Sequence, residues 1–186
     1  MTYTSFGKNI VGSAVLDDRT FDGDATVSFT DYFNGLYSKY LFYILDYYPA
    51  TDFTNLYMRT SQDGSTFDSG ASDYGYVNSS SRDDNTAGGT AALATAAFMR
   101  LNTNGIGGAS AGFDDEGLSG FVALYDPLDD SRYTNFYWEH AYRNSFNQSL
   151  SVYGAGQRLE ADVVKGVQFY QSSGNCSGRI VMVGVA

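Results

Sequence analysis

Short segments in which apolar and polar residues alternate recur along the chain, separated by clusters of Asp, Gly, Ser and Asn. Alternation with a period of two is typical of a β-strand with one buried face. Ten segments show this alternation or a β-rich composition, and we predict strands there. They are residues 10–16, 25–29, 39–47, 55–60, 74–77, 97–102, 118–125, 133–142, 163–170 and 178–185. The intervening clusters are rich in residues that favour tight turns.

This pattern predicts an all-β chain folded as an antiparallel β-sandwich, jelly-roll-like, with long loops rich in Gly, Ser and Asp. Residues 1–186 are expected to form a single domain in which residues 1–38 supply N-terminal strands or an attachment arm. Long surface loops are expected at residues 79–89 and 104–117. Residues 90–100 leave two interpretations open, because their alanines favour a helix whereas their last residues alternate like a strand.

Two of the predicted strands, residues 40–45 and 180–185, are apolar on both faces. A strand with one wet face would alternate instead, and a soluble monomer rarely exposes a contiguous apolar patch. Either these strands are covered within the chain or another subunit covers them, and self-association is the better explanation. The residues expected to be buried at a subunit interface or in the core are Leu41, Tyr43, Val181, Val183 and Val185.

Charge and composition exclude several partners. The 186 residues include 11 Lys and Arg against 21 Asp and Glu, which gives a formal net charge of −10. A phosphate backbone would be repelled, so we expect no nucleic-acid partner. No apolar run is long enough for a membrane-spanning helix, and residues 1–9 lack the apolar segment of a secretory signal. We therefore expect no membrane partner and folding inside a cell.

Most catalytic chemistries lack the residues that they need. A single cysteine, Cys176, excludes an internal disulfide and a zinc site built on cysteines, and a single histidine, His140, excludes a histidine cluster. His140 shares one face of an aromatic strand with Trp138, which is typical of a packed residue, and no Gly-x-Ser-x-Gly elbow presents a serine. We predict that the protein is not an enzyme and that it has no cofactor.

Acidic loops are the remaining place for ligand chemistry. Residues 114–116 and 129–130 hold neighbouring acids, but solvated loop carboxylates explain them as well as a glycosidase pair does. The segment from Asp18 to Gly23 matches the first half of a calcium loop, but Phe29 stands where the bidentate Glu belongs. Loop-bound calcium at residues 83–85 or 126–130 stays open beside ordinary Asx turns.

Glycan binding is an alternative that the composition supports, because sugars dock on aromatic rings while Asp and Asn bind their hydroxyl groups. The chain holds 16 Tyr. Tyr137 and Trp138 are the candidate glycan platform. Tyrosine is also favoured in strands and at protein interfaces, so core or subunit contacts are the better explanation for most of these rings.

Several motifs are distinctive as a set. They are Y-L-F at residues 40–42, P-A-T-D at 49–52, L-Y-M-R-T-S-Q-D-G-S-T-F-D-S-G-A-S-D-Y at 56–74, L-Y-D-P at 124–127, and S-S-G-N-C-S-G at 172–178. Within the longest motif, Asp63-Gly64 predicts a tight turn whose glycine takes a positive φ. Asp68, Ser69 and Asp73 are expected to tie the loop with bonds from side chains to the backbone.

From residue 39 to 186, these motifs resemble a β-sandwich module of tailed-phage virion proteins, notably from phages of marine bacteria. The resemblance implies a virion protein assembled in the host cytoplasm, related to tail-fibre-like proteins or to capsid decoration proteins, and it brings no catalytic residues. Only residues 1–38 precede the module, which favours a decoration or cement protein over a long fibre. Its expected partners are copies of itself, arranged as trimers, and the major capsid protein or other virion proteins. The alternative is a receptor-binding, lectin-like tail protein that recognises glycans on the host surface.

Overall fold

The computed structural model describes residues 12–84, 87–108 and 117–186, with the side chain of Ala87 left out. This part of the chain contains twelve β-strands and no helix. The strands are β1 (Ser13–Asp24), β2 (Thr26–Phe29), β3 (Lys39–Pro49), β4 (Leu56–Ser61), β5 (Tyr74–Arg82), β6 (Ala87–Ala96), β7 (Met99–Arg100), β8 (Leu118–Tyr125), β9 (Asn135–Arg143), β10 (Ser149–Arg158), β11 (Gly166–Gln171) and β12 (Cys176–Val185).

The strands form two antiparallel sheets packed together, which confirms the predicted β-sandwich. The larger sheet has eight strands in the order β1-β12-β3-β8-β9-β10-β5-β6, and the smaller has four in the order β2-β11-β4-β7. Among the described strands, the chain passes from the larger sheet to the smaller one four times, before β2, β4, β7 and β11. The first two strands pair with β12 and β11, so residues 13–29 are built into both sheets.

The core lies between the sheets and is rich in aromatic rings. Phe42 of the larger sheet packs edge-on against Phe29 and Phe169 of the smaller one, with ring centroids 5.3 and 5.5 Å apart. All three side chains are completely buried. Removing one such side chain from water contributes about 1.5–3 kcal/mol to the stability of the folded protein. This cluster therefore holds the two sheets together.

A buried polar contact fixes the register of the central strands of the larger sheet. The indole Nε1 of Trp138 donates a hydrogen bond of 2.6 Å to Oδ1 of Asn78, whose amide donates to the carbonyl of Arg100. Gly154 belongs to β10, which lies between β9 with Trp138 and β5 with Asn78. A Cβ at position 154 would come within 2.3 Å of Asn78 Oδ1 and 2.4 Å of Trp138 Nε1. Glycine is therefore required at position 154 for the indole and the amide to meet.

The structure decides one open question of secondary structure and corrects other predictions. Residues 90–100 form most of β6 and all of β7, so their alanine content does not produce a helix. The predicted loop at residues 79–89 is largely the end of β5 and the beginning of β6, and β10 was not predicted. In the predicted loop at residues 104–117, Ile106 is buried and bridges Thr54 and Asn144. Residues 109–116 of that loop, and residues 10–11 of the first predicted strand, lie outside the described part.

Candidate functional site

The one histidine is unsuited to catalysis. His140 is buried, and neither ring nitrogen has a hydrogen-bond partner among the described residues. Burial lowers the pKa of His140 to about 4, and the backbone of Leu101 opposes only part of this effect. The ring is therefore neutral at pH 7 and out of reach of a substrate, as expected for a packed residue.

Cys176 is also buried, and its thiol donates a 3.2 Å hydrogen bond to the carbonyl of Asp24. Burial raises the pKa of this thiol above its ordinary value. A buried, protonated thiol is a poor nucleophile and a poor metal ligand. The part of the chain that the structure describes contains no group of three His, Cys, Asp or Glu residues able to hold a metal ion. The acids at residues 114–116 and the amide at residue 85 lie outside that part.

The Asp-Gly turn of the longest motif is stabilised by a single carboxylate. One oxygen of Asp63 accepts hydrogen bonds from the backbone N–H groups of Ser65 and Thr66, both 2.7 Å long, and from the hydroxyl of Ser61 at 2.9 Å. These bonds, the one from Thr66 above all, hold the pKa of Asp63 well below its usual range. Gly64 has a φ of 80°, as predicted for the turn. These contacts show that this part of the motif stabilises a turn.

The end of the same motif is tied by an arginine that the sequence did not single out. Arg158 of β10 is buried, and its Nε lies 2.9 Å from a carboxylate oxygen of Asp68 and its Nη2 3.0 Å from one of Glu160. Asp68 also accepts a hydrogen bond from the hydroxyl of Thr60. Asp68 therefore ties the loop mainly through bonds to other side chains and not through the predicted bonds to the backbone. Asp73 does make the predicted bond, since it accepts a hydrogen bond from the backbone N–H of Gly70.

The side of the eight-stranded sheet that faces away from the core, here called the outer face, carries the main unexplained surface. One row of directly paired residues crosses all eight strands without a charged side chain, and the hydroxyl of Tyr137 is the one polar group that its side chains carry. This apolar row consists of Val15, Val183, Leu41, Ala123, Tyr137, Ala155, Val77 and Ala92. Val15, at one end, is 67% exposed. Ala123 points away from the core and is nevertheless buried, so its neighbours on the outer face cover it.

The adjacent row is aromatic and contains one acid. It runs from Val181 through Tyr43, Phe121 and Glu139 to Tyr153, which is 54% exposed. The rings of Phe121 and Tyr137 lie 6.0 Å apart. Desolvation, followed by the charge of Glu139, raises the pKa of the Tyr137 hydroxyl. The middle of the outer face therefore combines exposed rings with a single carboxylate.

Most of the residues proposed from the sequence lie on the outer face. Leu41, Val181, Val183 and Val185 are partly buried there, Tyr43 is exposed, and none of the five belongs to the core between the sheets. The two-sided apolar pattern thus reflects one face in the core and one at the surface.

Tyr137 and Trp138 are separated by the pleat. Tyr137 is exposed on the outer face, but Trp138 is 0% exposed in the core, so the prediction that Trp138 forms a glycan platform is wrong. Successive side chains of a strand point to opposite sides, so these two rings cannot form one platform.

Three contributors to the outer face were not identified from the sequence: Val15, Val77 and Tyr153. Val15 and Val77 both lie within predicted strands, but the sequence did not show which strands pair with them. Tyr153 belongs to β10, where serines and glycines alternate with larger residues. That alternation was the available signal.

Together, the fold and this surface define a class of protein: an all-β, two-sheet antiparallel sandwich with a broad apolar and aromatic outer face. No protein-family model matches the chain, and no curated protein matches it. Among the described residues there is no helix of the length and apolar character needed to cross a membrane.

Proposed function

We propose that the chain is a structural protein of a bacteriophage virion, a capsid decoration or cement protein that associates with other copies through its outer face. The observation that carries this proposal is the apolar row, which crosses all eight strands and is exposed at Val15 and Val77. Large exposed apolar patches on soluble proteins mark interaction surfaces. The motifs that resemble phage virion modules supply the biological setting.

The outer face has the size of a stable interface. Eight strands spaced about 4.8 Å apart span roughly 34 Å, and four rows of outward residues span roughly 20 Å along the strands. The resulting area of roughly 700 Å² approaches the ~800 Å² that each partner buries in a standard interface. A cement protein needs such a contact and no active site, because its contribution is the free energy of association.

Charge also favours a second copy as the occupant. The chain has a formal net charge of −10, which opposes association of copies in general. The apolar row contributes nothing to this repulsion, and the charged residues nearest to it, Lys39, Glu139 and Asp18, lie in neighbouring rows. Two copies can therefore join their apolar rows without placing a charge at the centre of the interface, and the charges of the neighbouring rows lie around that centre.

The test is the effect of a charge in the centre of the β1–β12–β3 region. Val183→Asp places an unpaired carboxylate in the proposed interface, so the trimer expected for the wild type should dissociate. Molecular mass from light scattering measures the result, and circular dichroism shows whether the variant is folded. Ser173→Asp, in an exposed turn, is the matched control and should assemble normally.

The proposal fails if the wild type is a monomer or if a folded Val183→Asp variant assembles like the wild type. Particles that lack the protein should also be less resistant to heat and to low salt, and unchanged particle stability would contradict the role as a cement protein.

A receptor-binding tail protein is the second candidate, favoured by the exposed rings of Tyr137 and Tyr153 around Glu139. On this reading the aromatic row would bind glycans on the host surface. A glycan array on the purified protein distinguishes the two functions. Binding that Tyr137→Ala abolishes without loss of fold would favour the tail protein.

A further inference from the structure

A cleft opens at one end of the outer face, where the pairing of β1, β12 and β3 is irregular. Strand β1 carries an extra residue between Phe21 and Asp24 opposite β12, and β3 carries one between Ile44 and Tyr48 opposite β12 and β8. Such bulges turn side chains away from the regular pleat and are common beside binding sites. The cleft has a volume of about 430 Å³, within the range of small-molecule sites.

The floor of this cleft is Gly178, and we call the site the Gly178 cleft. Gly178 has a φ of 143°, and a Cβ at this position would come within 2.8 Å of the Asp46 carbonyl oxygen and 2.9 Å of the Tyr47 Cα. Only glycine permits this approach of β3 to β12. The walls are formed by Thr20, Asp22, Leu45, Asp46, Tyr48 and Arg179.

Two of the polar groups in the wall are held in place. The guanidinium of Arg179 donates two hydrogen bonds to the carboxylate of Asp18, 2.7 and 2.6 Å long. The hydroxyl of Ser177 donates a 3.0 Å bond to one oxygen of Asp22. Groups that are fixed before a ligand arrives bind it at a lower entropic cost.

The rest of the wall is apolar and partly exposed. Leu45 is 37% exposed and Tyr48 is 39% exposed, so both can contact a bound molecule. An aromatic ring beside two carboxylates, of which Asp22 is held in place, and beside a guanidinium and a hydroxyl suits a molecule with one apolar C–H face and several hydroxyl groups. A sugar ring has this combination.

We propose that the Gly178 cleft binds a neutral sugar unit of a glycan, with its C–H face against Tyr48 and its hydroxyl groups on Asp22, Asp46 and Arg179. Asp18 neutralises Arg179, so Asp22 and Asp46 leave the cleft negative, and acidic sugars are repelled. This site is separate from the exposed ring of Tyr137. It goes beyond the proposed function and does not depend on it, because a decoration protein can also attach a particle to a glycan.

The test is NMR titration of the purified full chain with neutral oligosaccharides of glucose, galactose and mannose, and with the corresponding uronic acids. At least one neutral oligosaccharide should shift resonances of residues in the cleft, and the uronic acids should bind at least tenfold more weakly. Tyr48→Ala should weaken binding by tenfold or more. Asp46→Asn should also weaken it, and because Asn tolerates the positive φ of 49° at this position, this variant should fold.

Tyr133→Ala is the matched control, since Tyr133 is an exposed tyrosine outside the cleft and outside both rows of the outer face, and the affinity of this variant should equal that of the wild type. The inference is overturned if no neutral oligosaccharide binds, if uronic acids bind equally well, or if folded Tyr48→Ala and Asp46→Asn variants bind like the wild type. Val183→Asp separates the two proposals, because it should abolish assembly and leave sugar binding intact.

Discussion

The buried His140 makes a sharp prediction about stability in acid. Its ring is enclosed by the core and has no hydrogen-bond partner for either nitrogen among the described residues, so the folded protein resists its protonation. The pKa of His140 is lowered to about 4 from an ordinary value of 6.5. The unfolded chain therefore takes up a proton as the pH falls below 6.5, while the folded chain does so only near pH 4. Protonation then favours unfolding.

The size of the effect follows from the two pKa values. The stability that depends on neutral His140 is fully present above about pH 6.5 and is lost as the pH falls towards 4. The gap between the two pKa values corresponds to about 3 kcal/mol, since each pH unit is worth about 1.4 kcal/mol. For a domain whose total stability is about 5–15 kcal/mol, this is a large fraction.

His140→Phe tests this reasoning because phenylalanine keeps a ring at the site but cannot be protonated. Urea unfolding of the wild type and the variant at several pH values gives the difference in their free energies of unfolding. That difference should change by about 3 kcal/mol in favour of the variant between pH 7.5 and pH 4. Acidic residues titrate in both proteins, so their contribution cancels.

Tyr142→Phe is the control. It removes the hydroxyl that donates a 2.9 Å bond to the Asn104 carbonyl and leaves His140 in place. This variant should lower the free energy of unfolding by the same amount at every pH. A difference between wild type and His140→Phe that stays constant from pH 7.5 to pH 4 would refute the reasoning, as would a folded-state pKa near 6.5 measured for His140 by NMR.

The remaining predictions concern stability and are measured by chemical denaturation. Trp138→Ala should lower the free energy of unfolding by about 4 kcal/mol because it leaves a cavity in the core. Tyr137→Ala, on the outer face, should lower it by less than about 1 kcal/mol. Arg158→Met should cost about 3 kcal/mol, because it leaves its carboxylate partners without the buried guanidinium. Gly178→Ala should lower the free energy of unfolding by about 2 kcal/mol or more, because the backbone has a positive φ there and the new Cβ would press against β3. Gly35→Ala should change this free energy little, because no atom lies near the new Cβ.

Strand alternation was enough to predict the class of fold but not its extent. Phe136, Trp138 and His140 alternate with exposed residues in β9, and the corresponding segment was found from that pattern alone. Residues 90–100 were ambiguous because alanine has the highest helix propensity, and here pairing with β5 overrides that preference. β10 was missed because Gly154 and Gly156 occupy its inward positions, where an apolar side chain would have completed the pattern.

The candidate sites were predicted less completely than the fold. The residues of β3 and β12 that face outward could be found because both faces of those strands are apolar. The Gly178 cleft could not, since it arises from bulges in β1 and β3 on either side of β12, and β12 is far from both in sequence. Arg158 was also missed, because its burial depends on Asp68, which lies 90 residues away in the chain.

The position of β12 has a consequence for synthesis on the ribosome. This strand, Cys176–Val185, lies between β1 and β3 in the larger sheet, although it is translated long after both. Until it emerges, β1 lacks its one neighbour among the described strands of that sheet, and β3 presents an open edge. Open edges of this kind invite pairing with other nascent chains. Translation of β12 therefore closes the larger sheet between β1 and β3 and removes this hazard.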